Sequence, residues 1–265
     1  MDGFDAMVAR FGEMPLAYAS SCALAWNVIV FCAAVVAGNA IVGRLGARSV
    51  APPPPPLLGA ELALAGACVL LNSAVAVAGL LLWRRGIIVL APSTAPRVLL
   101  DAVVLVLAMD LGMYVTHRLA HHALLYPVVH RTHHRFPDPR PLTLFVLNPV
   151  EVMGFGGLWL VVLCLYRASP VGIAVYLTLN VLFGLFGHLG VEPMPAAWTR
   201  LPLLRLVGTS TFHAEHHRDE KHNFGFYTLF WDRLFGTTSP AYEREFEEAT
   251  RGPARGAWRR DRAQR

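Results

Sequence analysis

Long apolar runs separated by short polar punctuation dominate the chain. Residues 14–43 carry no charged side chain. A bilayer core of about 30 Å is crossed by about 20 apolar residues in a helix, so this run predicts a membrane span, ended by Arg44 and Arg48. Pro52–Pro56 follow; five residues without a backbone N–H and with fixed φ form a stiff connector. Residues 62–83 are a second charge-free run, closed by Arg84 and Arg85. A third helix is predicted from Pro96 and Arg97, apolar to about Val115, with only the tolerable Gly112 to weaken it before His122. It is expected to project from the membrane into water. At about 100° per residue it places Asp110, Tyr114, His117 and His121 within about 60° of arc on one face, and turns His122 off that face.

Residues 141–166 and 168–187 read as a hydrophobic hairpin turning at Arg167, Ser169 and Pro170, its first arm interrupted by Asn148, Pro149 and Glu151. An ionisable group at that depth is costly unless it faces protein, a polar cavity or the interface. Glu151 is therefore expected to turn inward, with an interfacial position as the alternative. After Glu192 the chain is mostly polar and basic, and from about Ala241 it is rich in Arg and Glu. That composition predicts a basic, poorly ordered tail over 239–265, serving solubility or contact with anionic headgroups. The predicted fold is all-α and integral to the membrane, with four to five hydrophobic helices. Two are spans, a third extends into the aqueous phase, and the hairpin completes the set beneath a histidine-lined helical cap.

Composition agrees with this pattern. The 265 residues are 55% hydrophobic and 15% charged, with a mean hydropathy of +0.45, whereas soluble domains carry about 25% charged residues. These figures exclude a disordered chain, a disulfide scaffold and a collagen-like fold. Cys22, Cys32, Cys68 and Cys164 lie in apolar runs without Cys-x-x-Cys spacing, and read as small reduced hydrophobes. Residues 1–13 lack the basic start of a signal peptide, so no cleaved targeting segment is expected. Of the 23 basic residues, 18 fall in segments on the histidine side, which points to a multi-pass protein with a cytoplasmic histidine face. Most of that excess comes from the tail.

All 11 histidines fall between His117 and His222. They form His117-x3-His121 with His122 adjacent, His130-x2-His133-His134, the isolated His188, and His213-x2-His216-His217 followed by His222. Positions i, i+3 and i+4 of a helix point the same way, so each triplet is expected to send three imidazoles toward one site. His117, His121 and His188 bring the total to nine converging nitrogens. One zinc or iron takes about four to six ligands, so nine suit two metals. His122 and His222, and also His188 taken alone, fit ordinary surface or core positions. Glu215, opposite its triplet, is expected to be exposed rather than a ligand. Neutral imidazole binds iron, copper, nickel and zinc alike. Two histidine-rich metals at the mouth of an apolar bundle suit oxygen activation above a lipid chain.

The three boxes resemble the fatty acid hydroxylase and sterol desaturase superfamily of membrane di-iron oxygenases. Asp110-x3-Tyr114-x2-His117-Arg118, Asn148-Pro149-x-Glu151, Asn223-Phe-Gly225 and Trp231-Asp232-x2-Phe235-Gly236-Thr237 agree with it. The resemblance covers about 98–238, which it implies is the catalytic domain, after N-terminal spans and connectors over 1–97. It implies His117, His121, His130, His133, His134, His188, His213, His216 and His217 as metal ligands and catalytic residues. Asp110, Tyr114, Glu192, His222 and Asn223 become further ligands or groups that orient the ligands. Glu192 stands where fatty-acid-hydroxylating members carry a histidine, as in the sterol-type branch, and is expected to hold an imidazole rather than a metal. The implied chemistry is hydroxylation or desaturation of a C–H bond of a sterol-like or fatty acyl lipid. It needs two iron ions, O2 as co-substrate, and electrons from a separate cytochrome or ferredoxin-type donor with its reductase. Zinc can replace iron on isolation, and no nucleic-acid partner is expected. A dizinc lipid hydrolase and a membrane metal transporter or sensor remain the alternatives; transport sites usually lie near the bilayer midplane, whereas these histidines follow the ends of spans.

Overall fold

The computed structural model describes residues 2–251, all-helical apart from two isolated β-bridges. Helix α1 (Asp2–Glu13) precedes the apolar helices α2 (Leu16–Leu45), α3 (Gly59–Arg84) and α4 (Ala95–Ala120). Two one-turn helices follow, α5 (Tyr126–Val129) and α6 (Arg131–His134). The hairpin is α7 (Pro149–Leu165) and α8 (Pro170–Gly187), and the polar cap adds α9 (Ser210–Arg218), α10 (Phe230–Leu234) and α11 (Tyr242–Arg251). The helices α2, α3, α4 and α8 are long and apolar enough to cross a membrane, and α7 is a shorter apolar helix.

Arg97 and Arg118 bracket α4 21 residues apart, about 32 Å along a helix, which matches a hydrocarbon core of about 30 Å. The helix ends at Ala120 and His121 caps it, so its aqueous extension is under one turn. α2 packs on α3, α3 on α7, and α4 on both arms of the hairpin. Small residues permit the close approach that membrane helices use. A side chain at Gly156 would strike Val75 of α3, and one at Gly112 would strike Leu158 of α7. The end away from the histidines is fastened by Asp101, fully buried, whose carboxylate accepts from Tyr166 Oη at 2.7 Å, Ser169 N at 2.8 Å, Ser169 Oγ and Arg97 Nε. Asp5 of α1 accepts from both Ser93 N and Ser93 Oγ.

Two expectations change. The first arm of the hairpin starts at Pro149 rather than 141, because Asn148 caps the helix by accepting from Val150 N at 2.9 Å; residues 141–145 form a buried 3-10 turn instead. The tail is ordered through Arg251. Tyr242, Phe246 and Ala249 recur at helical spacing and are buried, with Tyr242 and Phe246 packed against Phe212 and Leu229, so α11 braces the histidine-bearing α9. The rest of the expected tail, 252–265, lies outside the described residues.

Candidate metal centre

Four segments converge where α2, α4 and α8 end and α3 and α7 begin. α4 supplies His117 and its cap His121. The α5–α6 turn supplies His130, between the two helices, and His133 and His134, on α6; α8 ends at His188, and α9 carries His213, His216 and His217. Their ring nitrogens sort into two groups. His117, His121, His130, His134 and His216 form one, and His133, His188, His213 and His217 the other, with the nitrogens of each group within 4.8 Å of one another.

This corrects the expectation that each triplet feeds one site. Positions i and i+4 differ by only about 40° around a helix, but i+3 and i+4 differ by about 100°. His130 and His134 therefore face the five-histidine group while His133 faces the other. On α9, His213 and His217 face the four-histidine group and His216 the first. Each triplet straddles both groups.

The second nitrogen of five rings has an acceptor. His117 Nδ1 donates to the Phe224 carbonyl at 2.8 Å, His216 Nδ1 to the His222 carbonyl at 2.7 Å, and His130 Nδ1 to Glu151 Oε1 at 2.7 Å. His133 Nδ1 and His188 Nδ1 donate to the carbonyls of Val146 and Gly184 at 3.2 and 2.8 Å. Each bond places the proton on Nδ1 and leaves Nε2 as a bare lone pair. Across the cluster the Nε2 atoms face one another: His117 and His130 at 3.0 Å, His130 and His134 at 3.1 Å, His121 and His216 at 3.1 Å. In the other group the separations are 3.5 Å for His133 and His188, 3.2 Å for His188 and His213, and 3.1 Å for His213 and His217. Where both rings have an Nδ1 acceptor, as His117 with His130 and His133 with His188 do, the facing lone pairs repel unless a cation lies between them. Metal–nitrogen bonds of about 2.1 Å give N···N edges of about 3.0 Å at right angles and about 3.4 Å in a tetrahedron, so the donor set fits two transition-metal ions.

Burial keeps these rings neutral. Loss of hydration pushes His133 down to about 4, and loss of hydration together with the neighbouring imidazoles pushes His188 to about 3, His121 to about 3 and His134 to about 2. His213, His216 and His217 are driven well below the usual imidazole range by the same causes. At neutral pH no proton competes with a metal.

None of the five residues expected as further ligands or orienting groups belongs to either group, and two of them orient an imidazole only through backbone. Asp110 accepts from Tyr227 N, Thr228 N and Thr228 Oγ1, and Tyr114 Oη pairs with Thr237 Oγ1 at 3.1 Å; both tie the loop after α9 to the span. His222 acts through its carbonyl, while its ring binds Asp219 at the surface. Asn223, with φ of 61°, donates to the Phe212 carbonyl and accepts from Ser239 N. Its left-handed turn lets the carbonyls of His222 and Phe224 reach His216 and His117. Glu192 holds no imidazole: its buried carboxylate accepts from Met194 N, Thr211 N and Thr211 Oγ1 and fixes the first turn of α9. Glu215 is not exposed; it is buried, paired with Arg218 and bonded by Ser239 Oγ. His122 is exposed.

Sequence reasoning gave Glu151 an inward position but no partner in the site, and it missed the carbonyls of Val146, Gly184, His222 and Phe224. Backbone acceptors leave no trace in residue type. Asp232 was visible only as part of a motif. Its carboxylate accepts from Phe224 N at 2.9 Å, Gly225 N at 2.7 Å and Thr237 Oγ1 at 2.6 Å, which shapes the loop that carries two of those carbonyls. A narrow crevice lined by Phe183, Gly187, Phe212 and Phe226 reaches His188 and His213.

The sequence pattern of the fatty acid hydroxylase family matches residues 102–237. Protein CER1-like 2 of Arabidopsis thaliana is 30% identical over 179 residues, 63% of this chain and 29% of that protein. A very-long-chain aldehyde decarbonylase of Oryza sativa subsp. indica is 29% identical over 155 residues, 56% of this chain and 24% of the relative. A cholesterol 25-hydroxylase-like protein of Danio rerio is 30% identical over 143 residues, 53% of this chain and 56% of the relative. The chain thus spans under a third of those plant relatives and just over half of the fish protein. No solved structure matches it. On the match over 102–237, more than half of its length, the chain belongs to the fatty acid hydroxylase family.

Proposed function

We propose that this chain is a membrane-bound di-iron oxygenase that hydroxylates or desaturates a C–H bond of a lipid, with O2 as co-substrate and electrons from a separate carrier protein. The observation that carries the reading is the pair of imidazole clusters, five and four, with Nε2 atoms 3.0–3.5 Å apart at the mouth of an apolar bundle. His117, His121, His130, His134 and His216 would hold one iron, and His133, His188, His213 and His217 the other. When bound, the irons supply the activation of O2 needed to break an unactivated C–H bond. Hydroxylation balances as lipid C–H, O2, two electrons and two protons giving lipid C–OH and water.

The chain's residues hold the imidazoles, orient them and keep water out. The Nδ1 bonds fix tautomer and ring angle, which sets where each Nε2 points. His133, His188, His213 and His217 would supply four ligands to an iron that takes up to six, so the four-histidine cluster would be the side that admits O2 and substrate. The crevice between Phe183, Phe212 and Phe226 leads to that cluster and is walled largely by apolar side chains. Names of relatives support a lipid substrate: an aldehyde decarbonylase and a methylsterol monooxygenase act on long-chain or sterol skeletons by their names. The histidine face is assigned to the cytoplasm, where such carriers are reduced. The test is comparative lipidomics of cells expressing the wild type and His213→Ala, followed by turnover of the identified lipid with purified protein. A product gaining one oxygen indicates hydroxylation and one losing two hydrogens indicates desaturation. Product formation without O2 or reductant would overturn the proposal.

A further inference from the structure

Glu151 is the buried carboxylate that bonds directly to an imidazole of the two clusters among the described residues. It lies in the first turn of α7 and is 4% exposed, and its Oε1 stands 2.7 Å from His130 Nδ1. The Asn-Pro-x-Glu stretch explains how it gets there. Asn148 caps α7 through Val150 N and donates to the Val128 carbonyl and Thr132 Oγ1. It thereby staples the start of α7 to the segment that carries His130. Pro149 suits the first helical position, and Glu151, two residues on, is aimed at the ring. His130 also packs closely within its cluster: its ring lies 4.7 Å from each of the rings of His117, His121 and His134. The second carboxylate nearby, Glu220, lies 3.5 Å from His134 Nδ1 and so belongs to the same cluster, but it is 42% exposed. In the four-histidine cluster the Nδ1 acceptors are neutral carbonyls, those of Val146 and Gly184.

We propose that Glu151 is a positioning residue that makes the two metal positions unequal, strengthening the five-histidine position through His130 while the four-histidine position relies on backbone acceptors. A carboxylate on the far nitrogen makes an imidazole a better electron donor than a carbonyl does, and losing such a partner costs about 10–100-fold in metal affinity. The more electron-rich metal has the more complete ligand set, and the poorer one faces the crevice. This inference rests on the two-metal reading of the site.

The experiment is anaerobic Fe(II) titration against a competing chelator, with the full chain in lipid nanodiscs, for wild type, Glu151→Gln and Glu151→Ala, with Mössbauer spectra of the loaded proteins. The wild type is expected to bind two irons of unequal affinity and to give two quadrupole doublets. Glu151→Gln keeps the hydrogen bond but not the charge. It is expected to weaken one iron about 10-fold and to move one doublet, leaving the other iron and its doublet unchanged. Glu151→Ala is expected to weaken the same iron about 100-fold. Equal weakening of both irons, movement of both doublets, or no change in either variant would overturn the proposal. A wild type that takes up fewer than two irons would instead overturn the two-metal reading on which it stands.

Discussion

Replacing Asp232 by alanine tests whether the loop after α9 is what aims the five-histidine cluster. Asp232 is fully buried and its carboxylate accepts three hydrogen bonds, from Phe224 N, Gly225 N and Thr237 Oγ1. Stranding a buried donor costs about 1–3 kcal/mol, so three stranded donors set a range of about 3–9 kcal/mol. The loop escapes the upper part of that range by opening to water, which leaves about 3–4 kcal/mol as the expected loss of local stability. Asparagine keeps one oxygen acceptor and strands one backbone N–H, so it should cost about 1–3 kcal/mol. Amide hydrogen exchange reads this directly, since each 1.4 kcal/mol is about tenfold in the opening equilibrium. The amides of Phe224 and Gly225 should exchange at least about 100-fold faster in Asp232→Ala and less than that in Asp232→Asn. The same loop supplies the carbonyls that bind His117 Nδ1 and His216 Nδ1, both in the five-histidine cluster. Metal analysis after dialysis should therefore show one of two ions weakened by about 10–100-fold. Unchanged exchange at Phe224 and Gly225, or equal weakening of both ions, would refute the argument.

Further substitutions probe the same architecture. His213→Ala and His216→Ala lie on one turn of α9 but in different groups. The first leaves three imidazoles in its group and the second four, so metal counts should fall by one ion in His213→Ala and stay nearer two in His216→Ala at saturating metal. A side chain at Gly225 would strike the Thr228 carbonyl and the Asp232 carboxylate, and Gly225→Ala should cost about 1–3 kcal/mol, read as a lower thermal midpoint. Phe246 is fully buried against the α9 side of the cap; Phe246→Ala should destabilise by about 3–5 kcal/mol in denaturation followed in detergent, and a midpoint at the wild-type value would restore the view of this segment as a dispensable tail.

The apolar half of the fold is legible because it obeys one rule, that charge-free runs of bilayer length become helices. Arg44, Arg84 and Arg97 mark ends that the structure reproduces within a few residues. The ligands were legible because histidine is rare and its i, i+3, i+4 spacing carries geometry. What the spacing hid was the sorting. A triplet whose last two members are about 100° apart can converge on one point or straddle two, and only the packing of the segment that carries it, as of α9 on α8, decides. Glu192 and Glu215 show a different limit. A carboxylate near a histidine box looks like a ligand or a surface group, whereas both are buried and bonded to structural partners, Thr211 and Ser239 among them. In α11, the abundance of Glu and Arg masked the period of Tyr242, Phe246 and Ala249, which composition averages away.

The two ends of the molecule differ in what holds them, and metal removal separates them. At the far end the polar groups are mutually satisfied: Asp101 has four donors around it and Asp5 has two. At the histidine end, the facing lone pairs of His117 and His130 and of His133 and His188 are favourable only around a cation. The first cluster ties α4 to the α5–α6 turn and α9, and the second ties that turn and α9 to the end of α8. Ions held as proposed would each bridge segments that the chain places far apart, and would bind the folded cap alone. A ligand of that kind stabilises by about 4 kcal/mol at a thousandfold excess over its dissociation constant, so two ions would contribute about 8 kcal/mol. Chelation should therefore raise amide exchange in the α5–α6 turn and in α9 through α11 while α2, α3 and the Asp101 end keep their protection. Loss of protection spread evenly over spans and cap would mean that the metals stabilise the bundle as a whole, and would contradict this division.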